Sequence, residues 1–329
     1  MSILVAPDSF KGTFPAEDVA AHIAAGIRAA GGTAVELPVA DGGEGTFEVL
    51  VRGLDARPVR VRTVGPWGDD VETVVALAAD GTAVVELAFA SGLNLPSTGD
   101  RDPVRASTYG TGVLMAEAVR LGARRVLVAA GGSATTDGGA GAIAAIEERG
   151  GLGGAEVVVL SDVTTRFANA ARVFGPQKGA DPATVEVLTR RLEAQADGFA
   201  RELGRDPRPV ARTGAAGGFS GGMWAQYGAR LVSGADYVLD LLGFDARAAA
   251  STAVVVGEGR LDSQTGQGKI IAAILARSGT TPVYAVVGSV HEDLGGYADN
   301  FAGIIVASDA EALTAAGSHL ARITGHALS

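Results

Sequence analysis

Short apolar runs recur along this chain, and segments of helical period separate most of them. Ser2–Ser9 (SILVAPDS) predicts a buried strand ending in an acid, and residues 15–32 predict a helix with Pro15 near its start and glycines at its end. Residues 33–41 (TAVELPVAD) predict a second strand, closed by Asp41, and residues 42–53 a second helix. From Arg57 the texture changes. RPVRVRTV (57–64), VETVVALAA (71–79) and TAVVELA (82–88) alternate, separated by GPWGDD and DG, which is hairpin punctuation. Arg124–Ala130 then predicts a strand, Ala142–Gly150 a helix, Glu156–Asp162 a strand and residues 182–204 a long helix. Three further strands are expected within TAVVVGEG (252–259), TPVYAVVGS (281–289) and FAGIIVAS (301–308).

Strands alternating with helices imply an α/β protein with a doubly wound, mostly parallel sheet. The hairpin-like stretch reads as part of a second α/β domain, containing antiparallel strands, inserted into the first. The expected division is 1–62 and 236–329 for a Rossmann-like α/β domain and 63–235 for the insertion.

Composition narrows the function classes. At 329 residues, 47% apolar and 19% charged, the chain is long enough for two domains and a large core. A net charge of −10 argues against a nucleic-acid or anionic-membrane surface. With no cysteine there is no disulfide, thiolate nucleophile or thiolate metal site. No apolar stretch approaches a membrane span, and the start MSILVAPDSFKG has no basic leader region, so a cytoplasmic location is expected. Of the 27 basic residues only Lys11, Lys178 and Lys269 are lysines, and each adjoins a glycine. In a chain this rich in arginine, lysine is expected where a compact ammonium is needed.

Several strands end in an acid or reach one through a glycine loop: Asp8, Asp41, Asp137, Asp162, Glu258 and Asp262. Ligands of open α/β sheets bind beyond the carboxyl ends of the strands, so these acids are candidate metal ligands and bases. Between the strand at 124–130 and the next helix lies GGSATTDGGAG (131–141), a strand–glycine turn–helix arrangement in which backbone N–H groups can meet phosphate. Familiar signatures fail one by one. Before Lys269 a phosphate-binding loop of the Walker type would need glycine where Ser263 stands, and a hydroxyl where Ile270 stands. G-x-G-x-x-A at Gly139, Gly141 and Ala144 starts too far from its strand for a dinucleotide fingerprint. G-x-S-x-G at Gly218, Ser220 and Gly222 has no strand before its serine, which a nucleophile elbow requires. What remains is phosphate chemistry: glycine N–H groups, the hydroxyls of Ser133, Thr135 and Thr136, lysine ammoniums, and acids to hold Mg²⁺ or accept a proton.

APDSFKG (6–12), ADGGEGT (40–46), GGSATTDGGAG (131–141), FGPQKGA (174–180), GAAGG (214–218) and GEGRLDSQTGQGK (257–269) resemble, in order and over the whole chain, the bacterial glycerate kinases. The resemblance implies ATP- and Mg²⁺-dependent phosphorylation of D-glycerate, at the 2-hydroxyl, by a two-domain α/β enzyme with its site in the cleft between domains. The alternatives are a kinase for another small hydroxy or sugar acid, and a non-catalytic nucleotide-binding protein. On this basis Asp8, Ser9, Lys11 and Arg260 are expected around the substrate. Gly131, Gly132, Ser133, Thr135, Asp137 and Lys269 are expected around the nucleotide phosphates, with Lys178 close to the transferred group. Asp162 or Asp262 would take the hydroxyl proton, and Asp162 and Glu258 are the candidate metal ligands. Two departures stand out. The connection from Gly141 to Asp162 is shorter than in the family, and DVTTRFANAARV (162–173) replaces the usual DVTNPL and glycine loop.

Overall fold

The computed structural model describes residues 2–261, 270–291 and 294–326, and these fall into two compact units. Residues 1–41 and 235–329 make the first unit, and residues 42–234 the second. The chain begins with β1 (Ser2–Pro7), α1 (Ala16–Ala29) and β2 (Ala34–Glu36). The second unit holds α2 (Thr46–Gly53), β3 (Arg57–Val64), β4 (Asp70–Leu77), β5 (Thr82–Glu86), α3 (Ala88–Ser91), α4 (Tyr109–Arg120) and β6 (Arg125–Ala129). It continues with α5 (Ala140–Glu148), β7 (Glu156–Leu160), α6 (Ala170–Phe174), α7 (Pro182–Leu203), α8 (Phe219–Tyr227) and β8 (Arg230–Val232). The first unit resumes with α9 (Gly234–Leu241), α10 (Phe244–Ala249), β9 (Ser251–Glu258), α11 (Ile270–Arg277), β10 (Val283–Val287), β11 (Gly303–Val306) and α12 (Ala310–His326).

The first unit is a five-stranded sheet in the order β11-β10-β9-β1-β2, and its paired strands all run parallel. β9 (STAVVVGE) is a nearly continuous apolar run because helices cover both faces of such a sheet. The chain winds one way from β1 to β2 and the other way from β9 to β11. The switch point therefore lies between β1 and β9, where Pro7 pairs with Gly257. The strand expected over 33–41 pairs regularly only over Ala34–Glu36. Pro38 has no N–H to give the ladder, although Leu37 and Val39 still donate to Val5 and Pro7.

The second unit is a six-stranded sheet, β3-β4-β5-β6-β7-β8, antiparallel through β3, β4 and β5 and parallel from β5 onward. In β3, Val61 and Thr63 point into the core, while Arg60 and Arg62 face outward beside Glu72. The core of this unit gathers Val85, Leu114, Met115, Val128, Ile146, Phe219 and Met223. A smaller cluster of Phe167, Leu188 and Leu192 lies under α7.

The first division falls at 41/42, not at the 62/63 expected from the texture change, and the return falls at 234/235. Hydrogen bonds explain the shift: Phe47 of α2 donates to Glu86 of β5, and Gly131 donates to the carbonyl of Gly42. Helix α2 therefore belongs with the mixed sheet. Among the described residues no helix is long and apolar enough to cross a membrane.

Candidate functional site

In the first unit the carboxyl ends of the strands surround a cavity of about 440 Å³. Asp8 to Lys11 follow β1, Asp41 follows β2, Glu258 to Arg260 close β9, and Ser289 and Ser308 follow β10 and β11; all of these line it. The expected substrate residues Asp8, Ser9, Lys11 and Arg260 thus come together at the switch point, with Glu258 beside them. Asp8 accepts the N–H of Ser9 at 2.6 Å. Burial and the neighbouring Asp41 carboxylate push its carboxyl up to about 8; Glu258 adds to this, while the Ser9 N–H and Lys11 oppose it. The Ser9 hydroxyl is buried and has no hydrogen-bond partner among the described residues. Tyr297 has a similarly unpartnered hydroxyl, pushed up to about 12 by burial and by the Glu258 carboxylate.

The second unit has its own cavity, of about 320 Å³, at the carboxyl ends of β6 and β7. Ala130 to Ser133 form one wall, Ser161 and Val163 another, and Phe174, Gln177, Lys178 and Ala216 close it. Lys178 is only 6% exposed. Its ammonium donates to Ser133 Oγ at 2.7 Å and to the carbonyl of Thr135 at 2.6 Å. Burial pushes it down to about 7, and the Asp137 carboxylate partly restores the charge. The Thr135 hydroxyl is buried without a partner among the described residues. Ala216 and Gly217 are left-handed, and a side chain on Gly217 would collide with the Thr135 carbonyl, so the GAAGG and GGSATT loops meet backbone to backbone.

The glycine loop does hold an anion at the start of α5, and that anion is the chain's own. Asp137 accepts from the N–H groups of Gly139 and Gly141 and from both the N–H and hydroxyl of Thr108, at 2.8–3.1 Å. Asp137 was expected to contact phosphate, but it does not line the cavity; it caps α5 and pins the loop. Gly131 likewise directs its N–H to the carbonyl of Gly42 at 3.0 Å.

The remaining expected residues separate. Asp162 follows β7 between two cavity-lining neighbours, and its carboxylate accepts the hydroxyl of Ser233 at 2.8 Å. Asp162 belongs to the second unit and Glu258 to the first. Asp262 and Lys269 lie outside the described residues. No group of three or more His, Asp or Glu able to hold a metal by itself occurs among the described residues. Magnesium does not need one, because it is commonly bound by one or two carboxylates together with substrate phosphates. Asp8, Asp41 and Glu258 line the same cavity, and the carboxylates of Asp41 and Glu258 both raise the affinity of Asp8 for its proton.

The altered stretch after Asp162 makes a 3-10 turn at Phe167–Asn169 and then α6. Phe167 is fully buried against Leu188 and Leu192 and donates its N–H to Thr213 Oγ1, so an aromatic anchor shapes this wall. The serine of the rejected elbow, Ser220, lies buried in the first turn of α8 with its hydroxyl bonded to the carbonyl of Arg212. Glu86 is a further buried strand-end acid, in the mixed sheet, beyond those expected from the sequence. Its signal is the same acid-after-apolar-run pattern, hidden in TAVVELA by the alanine and the helix that follow.

The profile of the Glycerate kinase family matches residues 3–151 and 148–323, and the match breaks in the connection between α5 and β7. Glycerate 2-kinase of Escherichia coli (strain K12) is 35% identical, with 90% of this chain and 87% of that protein aligned. Glycerate kinase of Bacillus subtilis (strain 168) is 36% identical over 89% of this chain and 86% of its own length. A crystal structure from Salmonella typhimurium LT2, assigned as glycerate kinase 2, superposes with a TM-score of 0.86 at 31% identity, covering 100% of this chain and 99% of that one. The six motifs, the switch-point cavity and a family match along nearly the whole chain converge: the protein is a kinase belonging to the glycerate kinase family.

Proposed function

We propose that the protein transfers the γ-phosphoryl group of ATP to D-glycerate at the 2-hydroxyl, giving 2-phosphoglycerate, in the cytoplasm. The observation that carries this reading is the pairing of chemistries in its two cavities. One presents carboxylates, hydroxyls and two cations suited to a small hydroxy acid; the other presents a glycine loop and a buried ammonium suited to phosphate.

Lys11 and Arg260 bind the glycerate carboxylate, and Asp8 and Ser9 orient its hydroxyls. Burial and the Asp41 carboxylate favour the protonated form of Asp8, which can donate to a hydroxyl oxygen as well as accept from one. Gly131, Gly132, Ser133 and Thr135 shape the phosphate wall, and Lys178 brings positive charge to the transferred group; its bonds to Ser133 and Thr135 hold that charge in place before the nucleotide arrives. Lys269 adds a second ammonium. Asp162 or Asp262 takes the hydroxyl proton. Asp162 and Glu258 are the residues that would hold Mg²⁺, which supplies charge neutralisation of the phosphates when bound.

A coupled assay for ADP release tests the reading. Turnover is expected only with both D-glycerate and Mg²⁺, and enolase is expected to consume the product directly. ADP release without an acceptor overturns the acceptor role. A longer aldonic acid preferred by more than about tenfold in kcat/KM, roughly 1.4 kcal/mol of transition-state binding, overturns the choice of substrate.

A further inference from the structure

Glu86 closes β5 and is 4% exposed. Its register partner in β6 is Ala129, two residues before Gly131. Among the described residues no ion pair reaches it. The charged groups that act on it are Glu44 and Glu48, which add to burial in pushing the carboxyl up to about 8. A buried acid without a cation is a cost that an apolar residue in the same strand would avoid.

Its hydrogen bond to Phe47 indicates its use. A Glu86 carboxyl oxygen accepts the N–H of Phe47, in the first turn of α2, at 3.1 Å. The Phe47 ring packs at 5.1 Å from that of Phe89, in the helix directly after Glu86. Behind Phe47 the chain is tied twice more: the Gly42 N–H donates to Thr46 Oγ1 at 3.1 Å, and the Gly42 carbonyl accepts from Gly131 at 3.0 Å. A Cβ on Gly131 would collide with the Cα of Gly43. Segment 42–46 is thus wedged between Glu86 and the Gly131 wall of the second-unit cavity.

We propose that Glu86 is a positioning residue for phosphoryl transfer: by holding the first turn of α2 it seats segment 42–46 against Gly131 and fixes the wall on which nucleotide phosphate rests. The inference rests on the ATP-dependent reading above. Glu86→Gln keeps an acceptor oxygen at the same reach, Glu86→Ala removes it, and Thr46→Val releases the same segment from its other tie. KM for MgATP is expected to rise at least about tenfold in Glu86→Ala and roughly fivefold in Thr46→Val, with Glu86→Gln within about threefold of wild type and KM for glycerate within about twofold throughout. Wild-type KM for MgATP in both Glu86→Ala and Thr46→Val overturns the proposal. A Glu86→Gln enzyme as impaired as Glu86→Ala also overturns it, because the carboxyl would then be doing more than accepting one N–H. If Glu86→Ala does not fold, Thr46→Val and Glu86→Gln decide between these outcomes. A wild-type enzyme that releases no ADP with glycerate defeats the underlying reading, whereas an active wild type with unaffected variants defeats this one.

Discussion

The two cavities are built on opposite principles. In the first-unit cavity, carboxylates crowd one another, a lysine and an arginine stand among them, and the buried hydroxyl of Ser9 lacks a partner among the described residues. Around the second-unit cavity the chain has bonded most of what it brought, the Thr135 hydroxyl excepted: Lys178 to Ser133 and Thr135, Gly131 to Gly42, and, in the same loop, Asp137 to Thr108, Gly139 and Gly141. The first site is arranged to exchange internal repulsion for contacts to a ligand. On the proposed reading, the second is a rigid frame that holds its ammonium in place before phosphate binds, so that little reorganisation is required at the moment of transfer.

Lys178→Arg tests the rigid frame most severely. The slot admits a compact ammonium at 2.6 and 2.7 Å from two acceptors, and a planar guanidinium overfills it. The expected loss in kcat/KM is about a hundredfold, or roughly 2.8 kcal/mol, accompanied by a lower Tm because the side chain is buried. Near wild-type activity would mean that the frame is not rigid. Asp137→Ala comes next. Freeing four donors is expected to cost about 2 kcal/mol in urea denaturation, since buried N–H groups lose their acceptor. A raised KM for ATP with stability intact would return Asp137 to the phosphate and erase the contrast between the cavities.

A smaller effect concerns pH. Between about pH 4.5 and pH 8 the folded chain keeps a proton on Glu86 that the unfolded chain has released, so this group's contribution to stability falls as pH rises through that window. Glu86→Gln removes the dependence, and the drop in Tm between pH 6 and pH 8.5 is expected to shrink by about 2 °C relative to wild type. An unchanged drop would show that Glu86 is ionised in the fold. The smallest effect is expected in the exchangeable cavity: Ser9→Ala raises KM for glycerate about threefold and leaves Tm unchanged, because the hydroxyl has no internal bond to lose. A fall in Tm would show that Ser9 is bonded internally after all.

Much of this fold is legible in the sequence because strands buried on both faces are continuous apolar runs, as in Ile3–Ala6 and Val254–Val256. The wall of the first-unit cavity is legible for a related reason: Asp8, Glu258 and Arg260 closely follow those runs, and the sheet brings strand ends together. Helix α4 is harder to place. Gly110 and Gly112 look like breakers, yet a side chain on Gly112 would collide with the backbone of Ala142 in α5, so the glycines serve a close helix contact that no local pattern reveals. The role of Asp137 is hidden similarly. The sequence shows an acid in a glycine loop, while its main partner, Thr108, stands 29 residues earlier. Lys178 stands out through rarity alone; its burial depends on Ser133 and Thr135, 45 and 43 residues away.

The turn between α5 and β7 carries Gly150, Gly151, Gly153 and Gly154, all at positive φ, and side chains at three of them, Gly150, Gly151 and Gly154, would meet open space. It is also where the family match breaks. Such a turn is a splice point: chain can be added or lost there without entering the hydrophobic interior, so relatives can differ by a whole segment while sharing both sheets. For protein engineering, the same turn offers a grafting position for an epitope or reporter, since it joins the amino-terminal end of β7 while both β6 and β7 present their carboxyl ends to the cavity.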